Sequence, residues 1–104
     1  MKISIIQENP IVGDIEGNLN LALRAIENIK KDEPDLVLFS EMFLTGYPPE
    51  DLLLRDDLYQ SLEVALKKLS EHSPDLNVII GYPKKLHKKI YNAAGLIYGR
   101  RNPD

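Results

Sequence analysis

The chain has 104 residues, with 13 basic and 16 acidic side chains, a formal net charge of −3 and no cysteine. This length fits one small domain, and the nearly balanced charge gives no reason to expect nucleic acid or an anionic membrane surface as a partner. The absence of cysteine excludes disulfides, thiolate metal ligands and thiol nucleophiles within these residues, and the lack of a long apolar run or a signal-peptide pattern predicts a cytoplasmic protein.

The first part of the chain predicts a strand, a helix and a second strand. Residues 2–7 (KISIIQ) are short and rich in β-branched side chains, as buried strands are. An amphipathic helix is expected after the turn signals that follow, with Asn18 as its N-cap. Its apolar side chains recur every three or four residues: Leu19, Ala22, Leu23, Ile26 and Ile29. Residues 36–39 (LVLF) are apolar on both faces, which predicts a central strand parallel to the first.

The second part predicts a helix and two adjacent strands. An amphipathic pattern begins at Glu50 or Asp56 and runs to about Ser73, and strands are expected at residues 77–81 (NVIIG) and 90–98 (IYNAAGLIY). No helix pattern separates these strands, so they should be neighbours in the sheet. The whole order is β-α-β-α-β-β, typical of an α/β fold.

Four lysines and a histidine lie within residues 84–89 (KKLHKK), between the last two predicted strands. We interpret this segment as a solvated hairpin loop, since charge runs between strands usually face water. A contact with a nucleotide phosphate or a partner subunit is the alternative. His72 and His87 are fifteen positions apart and have no cysteine to join them, so no metal site is predicted.

Glu41 lies immediately after the second predicted strand. Ligands of open α/β sheets bind beyond the carboxyl ends of the strands, so this carboxylate is a candidate catalytic residue. We expect Phe39, Met42 and Phe43 to shield it partly from water, which would suit a general base. The alternative is a structural role, in which Glu41 caps the next segment or pairs with a nearby cation.

A stiff loop is expected after Glu41. Gly46 permits a sharp turn, and the two prolines at residues 48–49 restrict the backbone that follows. Tyr47 lies between them and combines an aromatic ring with a hydroxyl group that can orient a polar substrate. A tyrosine that only packs against its neighbours is the alternative.

These segments together resemble the start of a nitrilase-superfamily (carbon-nitrogen hydrolase) domain. The resemblance rests on residues 9–14 (NPIVGD) with Asn18, on residues 39–47 (FSEMFLTGY), and on the strand segments 78–83 (VIIGYP) and 91–94 (YNAA). Residues 46–55 (GYPPEDLLLR) are similar, more narrowly, to the glutaminase domain of bacterial glutamine-dependent NAD+ synthetases. The similarity covers nearly the whole chain.

The resemblance implies a mechanism built on a glutamate, a lysine and a cysteine. The cysteine thiolate attacks the side-chain amide of glutamine and forms a thioester. Glu41 would take the thiol proton, pass it to the departing ammonia and then activate water, while the lysine and a backbone amide stabilise the oxyanion. By its place in the motif, Tyr47 would help to hold glutamine or the catalytic groups. The ammonia would serve a carboxy-terminal domain that uses ATP and Mg2+ to amidate deamido-NAD+.

This sequence departs from the family pattern in two ways. The family's lysine follows the fourth strand and its cysteine follows a further strand, whereas residues 100–104 (RRNPD) contain neither and lead into no further element. We therefore expect residues 1–104 to be the N-terminal portion of a glutamine amidohydrolase domain, a partial αββα sandwich incomplete at its C-terminus. Alone it should not hydrolyse glutamine and should need no cofactor. The complete protein is expected to be a homo-oligomer.

Two other interpretations remain open. The chain could be part of another nitrilase-type amidase that acts on a small amide without a synthetase domain, which the sequence after residue 104 would decide. It could also be a non-catalytic flavodoxin-like module. That fold would predict an acidic cluster after the first strand or a phosphate-binding glycine loop, and residues 7–10 (QENP) with the isolated Gly13 supply neither.

Overall fold

The computed structural model describes residues 1–46, 55–72, 76–87 and 89–97. In these ranges the strands are β1 (Ile3–Ile5), β2 (Leu36–Leu38), β3 (Val78–Leu86) and β4 (Lys89–Ile97). The α-helices are α1 (Ile15–Ile29), which continues into a short 3-10 turn at Lys30–Asp32, and α2 (Asp56–His72). This is the predicted order β-α-β-α-β-β.

The four strands form one sheet in the order β1-β2-β3-β4. The pairs β1–β2 and β2–β3 are parallel, and β3–β4 is an antiparallel hairpin. The prediction of parallel first and second strands and of neighbouring third and fourth strands is therefore confirmed. Because the first three strands are parallel, their carboxyl ends meet at one edge of the sheet, where the chain beyond β2 carries Glu41.

The two faces of the sheet differ in burial. On the covered face, Val37, Val78 and Ile80 are fully buried and belong to a single core with apolar side chains of both helices. That core takes these residues from the helices: Leu19, Ala22, Ala25, Ile26, Leu58, Leu62, Ala65 and Leu69. On the open face, Ile5 is 64% exposed and Leu96 is 47% exposed. Neither helix packs on that side.

The start of α1 differs from the sequence prediction. The helix begins at Ile15, and its N-cap is Asp14, whose Oδ1 accepts a hydrogen bond of 2.9 Å from the Gly17 amide. The prediction that Asn18 caps the helix is wrong, because Asn18 lies inside the first turn and its side chain is buried. An Asp, Asn, Ser or Thr can cap a helix, so two such residues four positions apart leave the first turn ambiguous.

The hairpin also differs from the prediction. Residues 82–89 were expected to form a connection, but β3 continues to Leu86 and pairs with β4 down to Lys89. The turn between them is therefore tight, with His87 at a positive φ of 50°. The strand after α2 was predicted to begin at Asn77 and begins at Val78. The helix α2 begins at Asp56, one of its two predicted starts; the other, Glu50, lies outside the described residues. No helix in the described ranges has the length and apolarity needed to cross a bilayer.

Candidate active site

Glu41 begins a turn of residues 41–45 just beyond the carboxyl end of β2. It lines a shallow cleft of about 360 Å³ together with Asn9, Pro10 and Ser40. Asn9 and Pro10 follow β1, and Ser40 and Glu41 follow β2, so the cleft lies where two parallel strands end. This is the position at which ligands bind in open α/β sheets.

The Glu41 side chain is exposed, which corrects the expectation that apolar neighbours shield it. Phe39, Met42 and Phe43 are buried in the core and do not cover the carboxylate. The rings of Phe39 and Phe43 pack edge to face on each other, with centroids 4.9 Å apart. Among the described residues, none forms an ion pair with Glu41, so the alternative of a cation partner gains no support from them.

The backbone around Glu41 is closed into a compact turn. The Gly46 amide donates to the Met42 carbonyl at 2.9 Å. The hydroxyl of the fully buried Thr45 lies 3.2 Å from the Met42 carbonyl and 3.0 Å from the Gly46 carbonyl, either of which can accept its proton. Met42 has a φ of 57°, in the left-handed region that non-glycine residues rarely adopt.

A second loop, residues 9–14, packs directly against this turn. The Gly13 amide donates to the Thr45 carbonyl at 2.8 Å. Gly46 has a φ of +78°, and a Cβ there would lie 2.7 Å from the backbone N and Cα of Val12. Only glycine fits this close approach, which gives the Gly46 of the sequence motif a structural cause.

Asn18 joins the two segments through its side chain. Its Oδ1 accepts from the Ile11 amide at 2.8 Å, and its Nδ2 donates to the Ile11 carbonyl at 2.8 Å and to the Leu44 carbonyl at 2.9 Å. Sequence reasoning missed this role. A signal was present, because Asn18 falls on the same helical stripe as the buried Ala22, Ala25 and Ile26.

The third support of the turn comes from β3. A Cβ at Gly81 would lie 3.0 Å from both the Glu41 Cα and the Met42 amide nitrogen. The Phe39 amide donates to the Ile79 carbonyl at 2.9 Å, so β2 and β3 stay paired up to the residues that precede the turn. The backbone of Glu41 therefore packs closely against Gly81 of β3, and the turn that Glu41 begins is bonded to the 9–14 loop at its far end.

Tyr47, the predicted substrate-binding residue, and the prolines at residues 48–49 lie outside the described residues. Within the described ranges, no group of three or more His, Cys, Asp or Glu side chains could hold a metal ion. His72 lies at the end of α2, where its Nδ1 is 2.8 Å from the Lys68 carbonyl.

The lysine-rich segment is part of the hairpin rather than a free loop. Lys85 Nζ lies 2.8 Å from Asp56 Oδ1 at the start of α2 and 6.0 Å from the centre of the Tyr59 ring. Its hydrogen bond and positive charge lower the pKa of the Asp56 carboxyl, and Asp56 in turn raises the pKa of Lys85. Burial raises the pKa of the Tyr59 hydroxyl. The expectation of a loop is therefore wrong for residues 84–86, which belong to β3, whereas the expectation that their side chains reach water is confirmed.

Comparison with known proteins agrees with this fold. The family model for carbon-nitrogen hydrolases matches residues 2–102, and the chain belongs to that family. Among curated relatives, the glutamine-dependent NAD(+) synthetase of Thermotoga maritima is 36% identical over 99 residues, which cover 93% of this chain and 17% of the relative. The corresponding enzyme of Aquifex aeolicus is 31% identical over 99 residues, covering 94% of this chain and 17% of the relative.

Solved structures of related proteins also match this chain. The glutamine-dependent NAD+ synthetase of Acinetobacter baumannii, solved with ADP, matches with a TM-score of 0.87 and 31% identity, over 95% of this chain and 19% of that one. An amidase from Nesterenkonia sp. matches with a TM-score of 0.81 and 20% identity, over 92% of this chain and 37% of that one, which shows a shared fold. The chain thus spans less than a fifth of the length of the synthetases it matches.

Proposed function

We propose that this chain contributes the general base of a glutaminase site that supplies ammonia to an NAD+ synthetase. The observation that carries the proposal is the position of Glu41 at the carboxyl end of β2, in a cleft between two parallel strands, on a backbone held by β3 and by the loop before α1. The synthetases named above, at 31–36% identity, support the reaction class. The amidase at 20% identity supports the fold alone.

In this proposal Glu41 moves protons and a cysteine outside these 104 residues performs the attack. The Glu41 carboxylate takes the thiol proton as the sulfur bonds to the amide carbon of glutamine. Glu41 then gives that proton to the leaving nitrogen, so the carbon–nitrogen bond breaks to release ammonia and leave a thioester. It next removes a proton from water, which attacks the thioester and releases glutamate, and the proton returns to the sulfur.

The exposure of Glu41 is consistent with an active site to which segments outside residues 1–104 also contribute residues. A general base works when it lies within hydrogen-bond reach of the proton it abstracts, and the open cleft leaves room for a thiol and a glutamine amide above the carboxylate. We propose Tyr47, six residues after Glu41, as a residue that holds the substrate. ATP and Mg2+ would belong to the synthetase domain, outside this chain.

The test uses the gene of this protein, expressed with all of the coding sequence that adjoins residues 1–104. Glu41→Gln should lower glutamine-dependent NAD+ formation by at least about 100-fold, since a positioned general base contributes roughly 10²–10⁴-fold. The same variant should keep NAD+ formation from added ammonia, because that reaction bypasses the glutaminase site. Glu63→Gln, a change of an exposed glutamate on α2, is the matched control and should alter neither reaction.

Two results would contradict the proposal. Full glutamine-dependent activity in Glu41→Gln would remove Glu41 from the mechanism. Residues 1–104 alone should release no ammonia from glutamine, and release above the rate without protein would show that the nucleophile proposed here is not needed.

A further inference from the structure

We propose that Asn18 is a positioning residue for Glu41. This proposal rests on the proposed function above. Asn18 is 2% exposed, lies in the first turn of α1 and does not line the cleft of Glu41. It therefore does not touch the substrate. Its side chain acts on the segment that carries Glu41.

The amide of Asn18 is matched to its three partners. It accepts one hydrogen bond from the Ile11 amide and donates two, to the carbonyls of Ile11 and Leu44. Because two carbonyls and one N–H surround it, the orientation of the amide is fixed by what those groups can donate or accept. No other side chain of this size supplies two donors and one acceptor in a plane. A buried aspartate would place an oxygen against two carbonyl oxygens.

The bond to Leu44 is the one that reaches the site. Leu44 is fully buried in the middle of the turn that Glu41 begins, and Met42 in the same turn has its left-handed φ of 57°. Such a conformation costs on the order of 1–3 kcal/mol and persists only when the surroundings hold it. Asn18, the Gly13–Thr45 hydrogen bond and the close packing of Gly46 on Val12 hold this turn, in addition to its packing against Gly81.

If the Asn18 bonds are lost, the turn can relax at Met42 and the Glu41 carboxylate moves relative to the cleft. A misplacement of about 1 Å at a catalytic group can cost on the order of 10²-fold in rate. Substrate affinity depends on other groups, so it should change little. The loss should therefore appear in kcat and leave KM nearly constant.

The experiment compares Asn18→Asp, Asn18→Ser and Asn20→Asp in the complete protein described under the proposed function. Asn20 is an exposed amide on the same helix, and its variant is the matched control. Asn18→Asp should lower kcat for glutamine hydrolysis at least tenfold with KM within twofold, and Asn18→Ser, which keeps one donor and one acceptor, should lie between it and the unchanged protein. Asn20→Asp should match the unchanged protein in both constants.

A double variant separates positioning from folding. In a Glu41→Gln background, Asn18→Ser should cause no more than a twofold further loss, because the group it positions is already gone. The inference is overturned if Asn18→Ser keeps kcat within twofold of the unchanged protein. It is also overturned if Asn18→Ser loses as much with Glu41 absent as with Glu41 present, or if KM rises in step with the fall in kcat.

The two proposals fail in different ways. If Glu41→Gln keeps full glutaminase activity, the proposed function fails. If Glu41→Gln is inactive but Asn18→Ser is unchanged, only the positioning role fails. If Asn18→Asp does not fold, Asn18→Ser carries the test, because its hydroxyl adds no buried charge. Should neither Asn18 variant unfold cooperatively while Asn20→Asp does, Asn18 is a folding residue and the positioning role is rejected.

Discussion

The two faces of the sheet carry similar apolar side chains, but the helices cover only one of them. Ile79 and Ile80 are neighbours on β3; Ile80 is fully buried beneath the helices, whereas Ile79 is only partly buried on the open face beside Leu96. The helices that follow β1 and precede β3 pack on the same side. Alternation along a strand therefore assigns residues to two faces, but only the positions of the helices decide which face becomes the core.

The largest expected effect comes from breaking the covered face. Ile80→Ala should lower the free energy of unfolding by about 2–5 kcal/mol, because it leaves a cavity in a fully packed core. Ile79→Ala, one residue away on the open face, should cost about 1 kcal/mol because part of that side chain already contacts water. Urea denaturation of the chain measures both. Equal losses would mean that another surface covers the open face in solution.

The helix α1, which covers one face of the sheet, can be destabilised at its N-cap. Asp14→Ala removes the side-chain oxygen that accepts from the Gly17 amide, and the expected loss is about 1 kcal/mol. Asp14→Asn keeps a capping oxygen and should lose only a few tenths of that amount. Thermal and urea unfolding of the two variants give the comparison. An Asn variant as unstable as the Ala variant would show that the charge, and not the cap, stabilises the helix.

The open face can be made polar with little effect on folding. Ile5→Ser changes a side chain that is 64% exposed, so the free energy of unfolding should move by less than about 0.5 kcal/mol. Exposed apolar patches promote association, and we expect the variant to show a lower average mass in sedimentation at high protein concentration. Val64→Ser is the matched control, because Val64 is 55% exposed but lies on α2. If both variants behave alike, the sheet face has no special role in association.

The smallest expected effect concerns the Lys85–Asp56 pair, which ties the far end of the hairpin to α2. Lys85 lowers the pKa of Asp56 below its ordinary 3.8, so the stabilisation is complete above pH 3.8 and is lost as the pH falls through the lower folded value. The raised pKa of Lys85 preserves the pair at least up to its ordinary 10.5. Both groups face solvent, so the contribution is small and weakens with salt.

Lys85→Gln should therefore reduce stability slightly and evenly between about pH 5 and 9, and the difference from the unchanged chain should shrink below pH 3.8. Lys84→Gln, the adjacent exposed lysine, is the control and should show no such pH dependence. Urea midpoints across this pH range measure the effect. A difference that persists undiminished at pH 2 would mean that Lys85 acts through packing on Tyr59 instead.

The sequence predicts elements and their order better than it predicts what the loops between them do. Strand and helix patterns are local, so the order β-α-β-α-β-β is confirmed. The exposure of Glu41 was not predictable from Phe39, Met42 and Phe43, because those side chains enter the core while the adjacent Met42 adopts a left-handed φ. A positive φ at a non-glycine residue leaves no mark in the sequence.

Two other predictions from the sequence were wrong for physical reasons. The lysines of residues 84–89 resemble a loop, but the antiparallel pairing of β3 with β4 continues through them because their side chains reach water from a hairpin end. Asn18 resembles a helix cap, and the structure instead uses its amide to join two loops across 26 positions of sequence. The helical stripe indicates that Asn18 is buried, but nothing local in the sequence identifies its partner 26 positions away.

Met42 is a position at which we expect backbone rigidity and folding stability to respond differently to one substitution. Its backbone adopts a conformation that glycine reaches without steric cost, while its side chain is only 7% exposed. Replacing it by glycine would relieve the backbone and remove the buried thioether, so the two effects on folding oppose each other. The freedom of the chain would change in one direction only: a glycine hinge directly after the acid would let the carboxylate swing, even in a protein that melts at the same temperature.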